Sequence, residues 1–166
     1  MPVNGKAKGS SFERKVANLF SARFEPVTGI AQGFRRNPDS GSFFGGTNKK
    51  RTETHDLDHA FFGDLICPEK FKFSVECKSY KSGPSFASIV KGKITQWDDW
   101  IKQASQDAES SKKAMMLIMK YNGVDELVFV SAPVLDLQLV LQYKAVYGYK
   151  LQDLLTSPNS YFFIMD

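Results

Sequence analysis

The sequence predicts one α/β domain with a mixed central β-sheet flanked by helices. Three observations predict it: an amphipathic helical stretch ahead of residue 25, two short apolar runs of period two between residues 63 and 80, and a helix, two strands and a helix after them. A chain of 166 residues suits a single domain, and 42% hydrophobic residues is enough for a real core and argues against disorder. The net charge of +4 is mild but unevenly placed: residues 1–55 hold ten Lys/Arg against four Asp/Glu, leaving the remainder slightly acidic. A basic region of that kind favours a polyanionic partner. No apolar run approaches the ~18 residues of a membrane span, and Met1-Pro2-Val3-Asn4-Gly5-Lys6 lacks the apolar core of a signal peptide. The chain is therefore expected to be intracellular and cytoplasmic, with Cys67 and Cys77 as reduced, small buried hydrophobes.

In chain order, residues 1–11 read as a flexible basic arm. Ser10 or Ser11 then caps a helix running to about Arg23, with Phe12, Val16, Leu19 and Phe20 on one face and Glu13 in the first turn. Residues 24–62 have weak periodicity; Arg35-Arg36-Asn37-Pro38-Asp39-Ser40-Gly41-Ser42 and Gly45-Gly46-Thr47-Asn48-Lys49-Lys50-Arg51 read as loop. Leu65–Cys67 is predicted as a strand, Pro68-Glu69-Lys70 as a turn and Phe71–Tyr80 as a second strand, the three forming a hairpin. Ser79–Lys93 is a basic connection, followed by a helix from about Ile94 to Ala108, whose apolar face includes Trp97 as a core residue. Ala114–Lys120 and Leu127–Ser131 are predicted strands, with Asn122-Gly123 as the turn between them. Ser131-Ala132-Pro133 opens a predicted helix to about Tyr143, and Tyr161–Met165 reads as an edge strand or a subunit contact.

The chemistry concentrates between Gly63 and Lys78. Side chains two apart on a strand share a face and lie roughly 6–7 Å apart, so Glu76 and Lys78 project together while Val75 and Cys77 pack behind them. With Asp64 leaving the preceding strand on the same side, two carboxylates and an ammonium converge. Oxygen donors of this kind suit a hard ion such as Mg²⁺ or Mn²⁺, which can also take a phosphate oxygen. Within 43–62, His55-Asp56-Leu57-Asp58-His59 has potential ligands, but no cysteines or second His/Glu set complete a zinc pattern, and a polar loop end is the plainer reading. Asp56 and Asp58 lie further from the hairpin than Asp64, which follows a glycine and directly precedes an apolar strand.

Asp64, eleven intervening residues and Glu76-Cys77-Lys78 resemble the motif of the PD-(D/E)xK nuclease superfamily, and Lys8-Gly9-Ser10-Ser11-Phe12-Glu13-Arg14 resembles the opening of archaeal-type Holliday junction resolvases within it. The resemblance spans Lys8 to about Val134 and leaves 43–62 as an inserted loop region. It implies a restriction-endonuclease-like domain across 1–166 that cuts four-way DNA junctions as a homodimer. It also implies that Glu13 joins Asp64 and Glu76 at the metal, with the Cys77 carbonyl as a further ligand, and that Lys78 orients the attacking water. A serine after the basic pair, Ser40 or Ser42, would act near the scissile phosphate, and a helix glutamine, Gln96 with Gln103 as the alternative, would sit beside the metal. Lys8, Arg14, Arg35, Arg36, Lys49, Lys50, Arg51 and Lys81 are the candidate DNA backbone contacts. A restriction-type, nicking or recombination-associated nuclease of the same superfamily, or a non-catalytic DNA-binding module, are the alternative readings.

Overall fold

Apolar residues at four-residue spacing, three of them phenylalanines, decide the first element. In the computed structural model, which describes residues 5–38 and 62–165, helix α1 (Gly5–Thr28) buries Phe12, Val16, Phe20 and Phe24, one residue per turn along a single stripe. The helix is longer at both ends than the sequence suggests. It starts at Gly5, so the stretch read as an arm is helical from that residue on, and Glu13 lies in the helix interior rather than in its first turn. Pro26 is tolerated in the last turn, and Gly29 at φ 67° ends the helix by donating its N–H to the Glu25 carbonyl at 2.8 Å.

Strands β1 (Arg35–Arg36) and β2 (Leu65–Ile66) pair antiparallel, with Arg35 opposite Ile66 and Arg36 opposite Leu65. Ser21 fixes β1 to α1: its hydroxyl donates to the Phe34 carbonyl and accepts from the Phe34 N–H, both at 3.0 Å. The central sheet has five strands in the order β3-β4-β5-β7-β6, from β3 (Phe73–Tyr80), β4 (Ala114–Tyr121), β5 (Leu127–Val130), β6 (Leu141–Tyr143) and β7 (Val146–Lys150). The β3–β4 pair is parallel and all others are antiparallel, so the expected mixed sheet is present. The parallel pair needs a crossover, supplied by α2 (Phe86–Val90) and α3 (Thr95–Ser110).

The sheet separates two cores. On the α1 side, Phe73, Val75 and Cys77 of β3 and Met116 and Ile118 of β4 meet Phe20, Phe24, Phe34 and Phe71. On the α3 side, Met115, Leu117, Met119 and Phe129 meet Trp97, Trp100 and Ala104. Trp97 is a core residue as predicted, and its indole N–H donates to the Tyr121 hydroxyl at 2.8 Å.

The predicted hairpin is not formed. Its second strand would need the backbone of residues 70–72 for β2, but that backbone is already engaged: Lys72 N donates to Phe162 O at 2.8 Å, Ile164 N donates to Lys70 O at 2.9 Å, and Phe71 bridges Phe163. The segment around α5 (Asn159–Phe162) therefore lies against the start of β3, and Phe162 and Phe163 are buried in the chain's own core, leaving only Ile164 and Met165 exposed. Residues 161–165 thus supply no broad apolar face for a second copy. Arg23 braces the same segment from α1, donating to Leu155 O, Asn159 Oδ1 and Ser157 O at 2.8, 3.1 and 3.2 Å.

The helix predicted after Ser131 is also absent. Residues 131–140 are bends, a turn and irregular chain, with Val134 N donating to the Tyr149 hydroxyl at 2.8 Å. The β6–β7 hairpin follows, turning at Lys144 with φ 53°. A short helix α4 (Leu151–Leu154) closes onto the α1-side core.

Candidate active site

A close approach of two backbones builds the site. Gly63, at φ 80°, lies so near β3 that a Cβ there would fall 2.6 Å from the Val75 carbonyl oxygen, which excludes any side chain. The next residue, Asp64, donates its N–H to that carbonyl at 2.8 Å and accepts the Cys77 N–H on Oδ2 at 2.7 Å. Asp64 is thereby latched to the free edge of β3 two residues at a time. Asn37 holds the latch from the other side, its N–H donating to Asp64 O at 2.8 Å and its Nδ2 to Gly63 O at 3.0 Å. Both groups of one residue point to one edge of a strand, so the Cys77 carbonyl faces the same edge as its N–H.

Glu76 and Lys78 share a face, as strand alternation requires, but that face is not solvated. It packs under α3; Glu76 is 2% exposed, and Lys78 Nζ donates to Glu76 Oε1 at 2.5 Å and to Gln103 Oε1 of α3 at 3.1 Å. Glu13 of α1 is 8% exposed and accepts from Arg36 Nε at 2.5 Å. Arg36, read from sequence as a DNA contact, is thus engaged with a site carboxylate.

The electrostatics are those of crowded, dehydrated acids. Burial, then the Glu76 charge, pushes Asp64 up to about 7, against the pull of the Cys77 N–H. Burial also raises Glu76, only partly opposed by Lys78. Burial by itself would lower the Lys78 ammonium, but the charge and hydrogen bond of Glu76 outweigh it and the group ends above its ordinary value. Asp107, one turn after Gln103, is pushed to about 6 by burial and by Asp64. It belongs to the site and is not among the residues picked from sequence, although its four-residue spacing from Gln103 puts the two on one helix face. Burial holds Cys67 at about 12 and Cys77 well above its ordinary value, so neither thiol is a nucleophile. Both cysteines are free.

Around Lys78, Glu13, Asp64, Glu76 and Asp107 face Arg36 and Lys78: four carboxylates against two cations, an excess of two negative charges when all are ionised. The donor set is all oxygen. Among the described residues no three of these acids converge as a finished cage, and Mg²⁺ does not need one, since it is held by one or two carboxylates plus waters and substrate phosphate. The residues fit a hard divalent ion.

Of the other residues singled out from sequence, Arg14, Arg35 and Lys81 are exposed, as a phosphate contact must be, and Gln96 is exposed on α3 while Gln103 is the glutamine that reaches Lys78. Ser40, Ser42, Lys49, Lys50, Arg51 and the His55–His59 stretch lie outside the described residues, as does the side chain of Lys8.

A protein family described as "phage putative PDDEXK endonuclease" matches residues 4–154. The chain belongs to this family. The match runs through residues 43–62, which the resolvase resemblance leaves unpaired, and stops short of α5. It supports the PD-(D/E)xK superfamily and a phage nuclease; the mixed sheet between helices is consistent with a restriction-endonuclease-like fold. No curated protein matches, and no solved structure does. Nucleases of this superfamily generally use divalent metal ions, in keeping with the oxygen-only site. Among the described residues, no helix is long and apolar enough to cross a membrane.

Proposed function

We propose that this chain is a divalent-metal-dependent endonuclease that hydrolyses DNA phosphodiester bonds, with four-way junctions as its substrate. The observation that carries the hydrolytic reading is the latch of Asp64 on Cys77 beside the Glu76–Lys78–Gln103 chain. Glu13, Asp64, Glu76 and the Cys77 carbonyl would hold Mg²⁺ or Mn²⁺; when bound, such an ion lowers the pKa of its water and stabilises charge on the phosphate. Lys78 is kept charged by Glu76 and aimed by Gln103, so it can orient the attacking water and offset negative charge as the phosphate is attacked. Arg14, Arg35 and Lys81 contact the DNA backbone, together with Lys8, Lys49, Lys50 and Arg51, and Ser40 or Ser42 acts near the scissile phosphate. Backbone contacts give register without sequence readout, which a junction enzyme needs.

The opening Lys8 to Arg14, with Glu13 buried at the site, supports the junction substrate. Paired nicks across a junction require two sites, so the active form is a homodimer of single nuclease domains spanning 1–166, working in the cytoplasm of the phage's host. Cleavage of a labelled synthetic four-way junction in Mg²⁺, beside a linear duplex, a flap and a single strand, tests this. Symmetric paired nicks near the crossover are expected, lost without metal and reduced at least about a hundredfold in Glu76→Ala. Equal cutting of all four substrates would keep the metal site and remove the junction; no cutting of any would remove the enzyme.

A further inference from the structure

The crossover between β3 and α3 carries a feature that the metal site does not use. Helix α2 has no buried residue: Phe86 is 82% exposed and Val90 68% exposed, and their spacing of four places them on one face. This is not a loosely held loop. Ser88 N donates to the Ser85 hydroxyl at 3.2 Å, Lys91 N to Ala87 O at 3.0 Å and Gly92 N to Ile89 O at 3.0 Å. Ile94 N is tied to the Tyr143 hydroxyl at 2.9 Å, and Ile89 packs against the α3-side core. A fixed scaffold therefore holds a phenylalanine and a valine out in water.

Charge identifies the occupant. Residues 80–93 contain Lys81, Lys91 and Lys93, all exposed, and no acid. A rim of lysines around an apolar tip is what a nucleic acid meets when bases are contacted from one side and phosphates from the other. Position agrees: Tyr80, two residues after Lys78, packs at a tilt against Trp100 with ring centroids 4.8 Å apart and leads into the segment. Eight residues of chain place Phe86 at most about 29 Å from Lys78, less than one turn of B-DNA at about 34 Å. One duplex is long enough to span that distance.

Resting on the nuclease reading above, we propose that Phe86 and Val90 form an apolar wedge that packs on unstacked bases beside the cut, with Lys81, Lys91 and Lys93 on the flanking phosphates. A four-way junction, whose crossover bases are the easiest to part, is the substrate such a wedge would favour over intact duplex.

The test is binding of the full chain to a four-way junction carrying 2-aminopurine at the crossover, in Ca²⁺ so that nothing need be cut, with sedimentation run in parallel. Wild type is expected to raise the fluorescence. Phe86→Ala should lose that rise and about tenfold in affinity, the effect of one lost stacking contact, with an unchanged melting temperature because the side chain is exposed. Lys91→Ala and Lys93→Ala should each reduce the salt slope of binding by about one while keeping the rise at saturation. Phe86→Ala equal to wild type in affinity and fluorescence would overturn the wedge, as would conversion of a dimer to a monomer by Phe86→Ala, which would make α2 a contact between copies. A wild type that gives the rise but does not cut in Mg²⁺ would keep the wedge and sink the nuclease, and one that binds no DNA would sink both.

Discussion

The two faces of β3 are nearly equally buried and do opposite things. Toward α1, Phe73, Val75 and Cys77 enter a cluster in which Phe71 contacts Phe20, Phe24, Phe34 and Phe163 at ring centroid distances of 4.9–6.1 Å. Toward α3, Ser74 and Glu76 are just as inaccessible, yet Glu76 stands there hydrogen-bonded to Lys78, beside Gln103 and Asp107. Apolar burial on the first face stabilises the fold. On the second, dehydration works against the acids, and a strand that tolerates this on one side has to be held by the other. Acids perturbed by burial and by one another are what active sites gather, and this face is the candidate site on that ground.

The comparison can be broken most forcefully on the apolar side. Phe71→Ala is expected to cost about 3–5 kcal/mol, read as a lower urea midpoint, because Phe71 is fully buried and belongs to both β3's approach and the aromatic cluster. A loss below about 1 kcal/mol would show that the phenylalanines do not carry the strand.

The charged side should respond in the reverse direction. Asp64 is raised from 3.8 to about 7, so the folded chain holds a proton there that the unfolded chain has released. Stability from this group is complete below about pH 4 and is lost as pH rises through about 7. Asp64→Asn keeps an acceptor for Cys77 N–H, and in the absence of metal it should melt higher than wild type at pH 8 and much like it at pH 4. A lower melting temperature at pH 8 would mean that the carboxylate is stabilising and the two faces are alike.

The smallest effect separates two glutamines of one helix. Gln103→Ala should slow cleavage by up to about tenfold, the worth of one hydrogen bond to a charged group, through a looser Lys78. Gln96→Ala, on the exposed side of α3, should leave both activity and stability within about 0.5 kcal/mol. Equal rate losses in the two variants would contradict the placement of Lys78 against Gln103.

What could be read from sequence was whatever depends on local periodicity. Asp64, Glu76 and Lys78 follow from alternation over sixteen residues, and Trp97 from a helical stripe. The hairpin was misread because Pro68-Glu69-Lys70 is a good turn, while the competitor for its ladder sits some ninety residues later at Phe162–Ile164. Ser131-Ala132-Pro133 resembles a helix start, whereas the β6–β7 turn is made by Lys144-Ala145, which carries none of the usual turn residues even though Lys144 is in the left-handed region. Asn37 escaped notice because it acts on the backbone of Gly63 and Asp64, some twenty-six residues away, and Asp107 because the charges it meets, Asp64 and Lys78, lie off its own helix.

The contact between β3 and the α5 segment bears on how the protein is made. Every carboxylate and lysine assigned to the site has been synthesised by residue 107, but Phe162, Phe163 and the backbone bonds to Lys70 and Lys72 belong to residues added much later. A ribosome-bound chain therefore exposes its acids and its phenylalanines together, before the strand carrying Glu76 has its final support. The strand carrying Glu76 gains that support only once residues 159–164 have closed over Phe71.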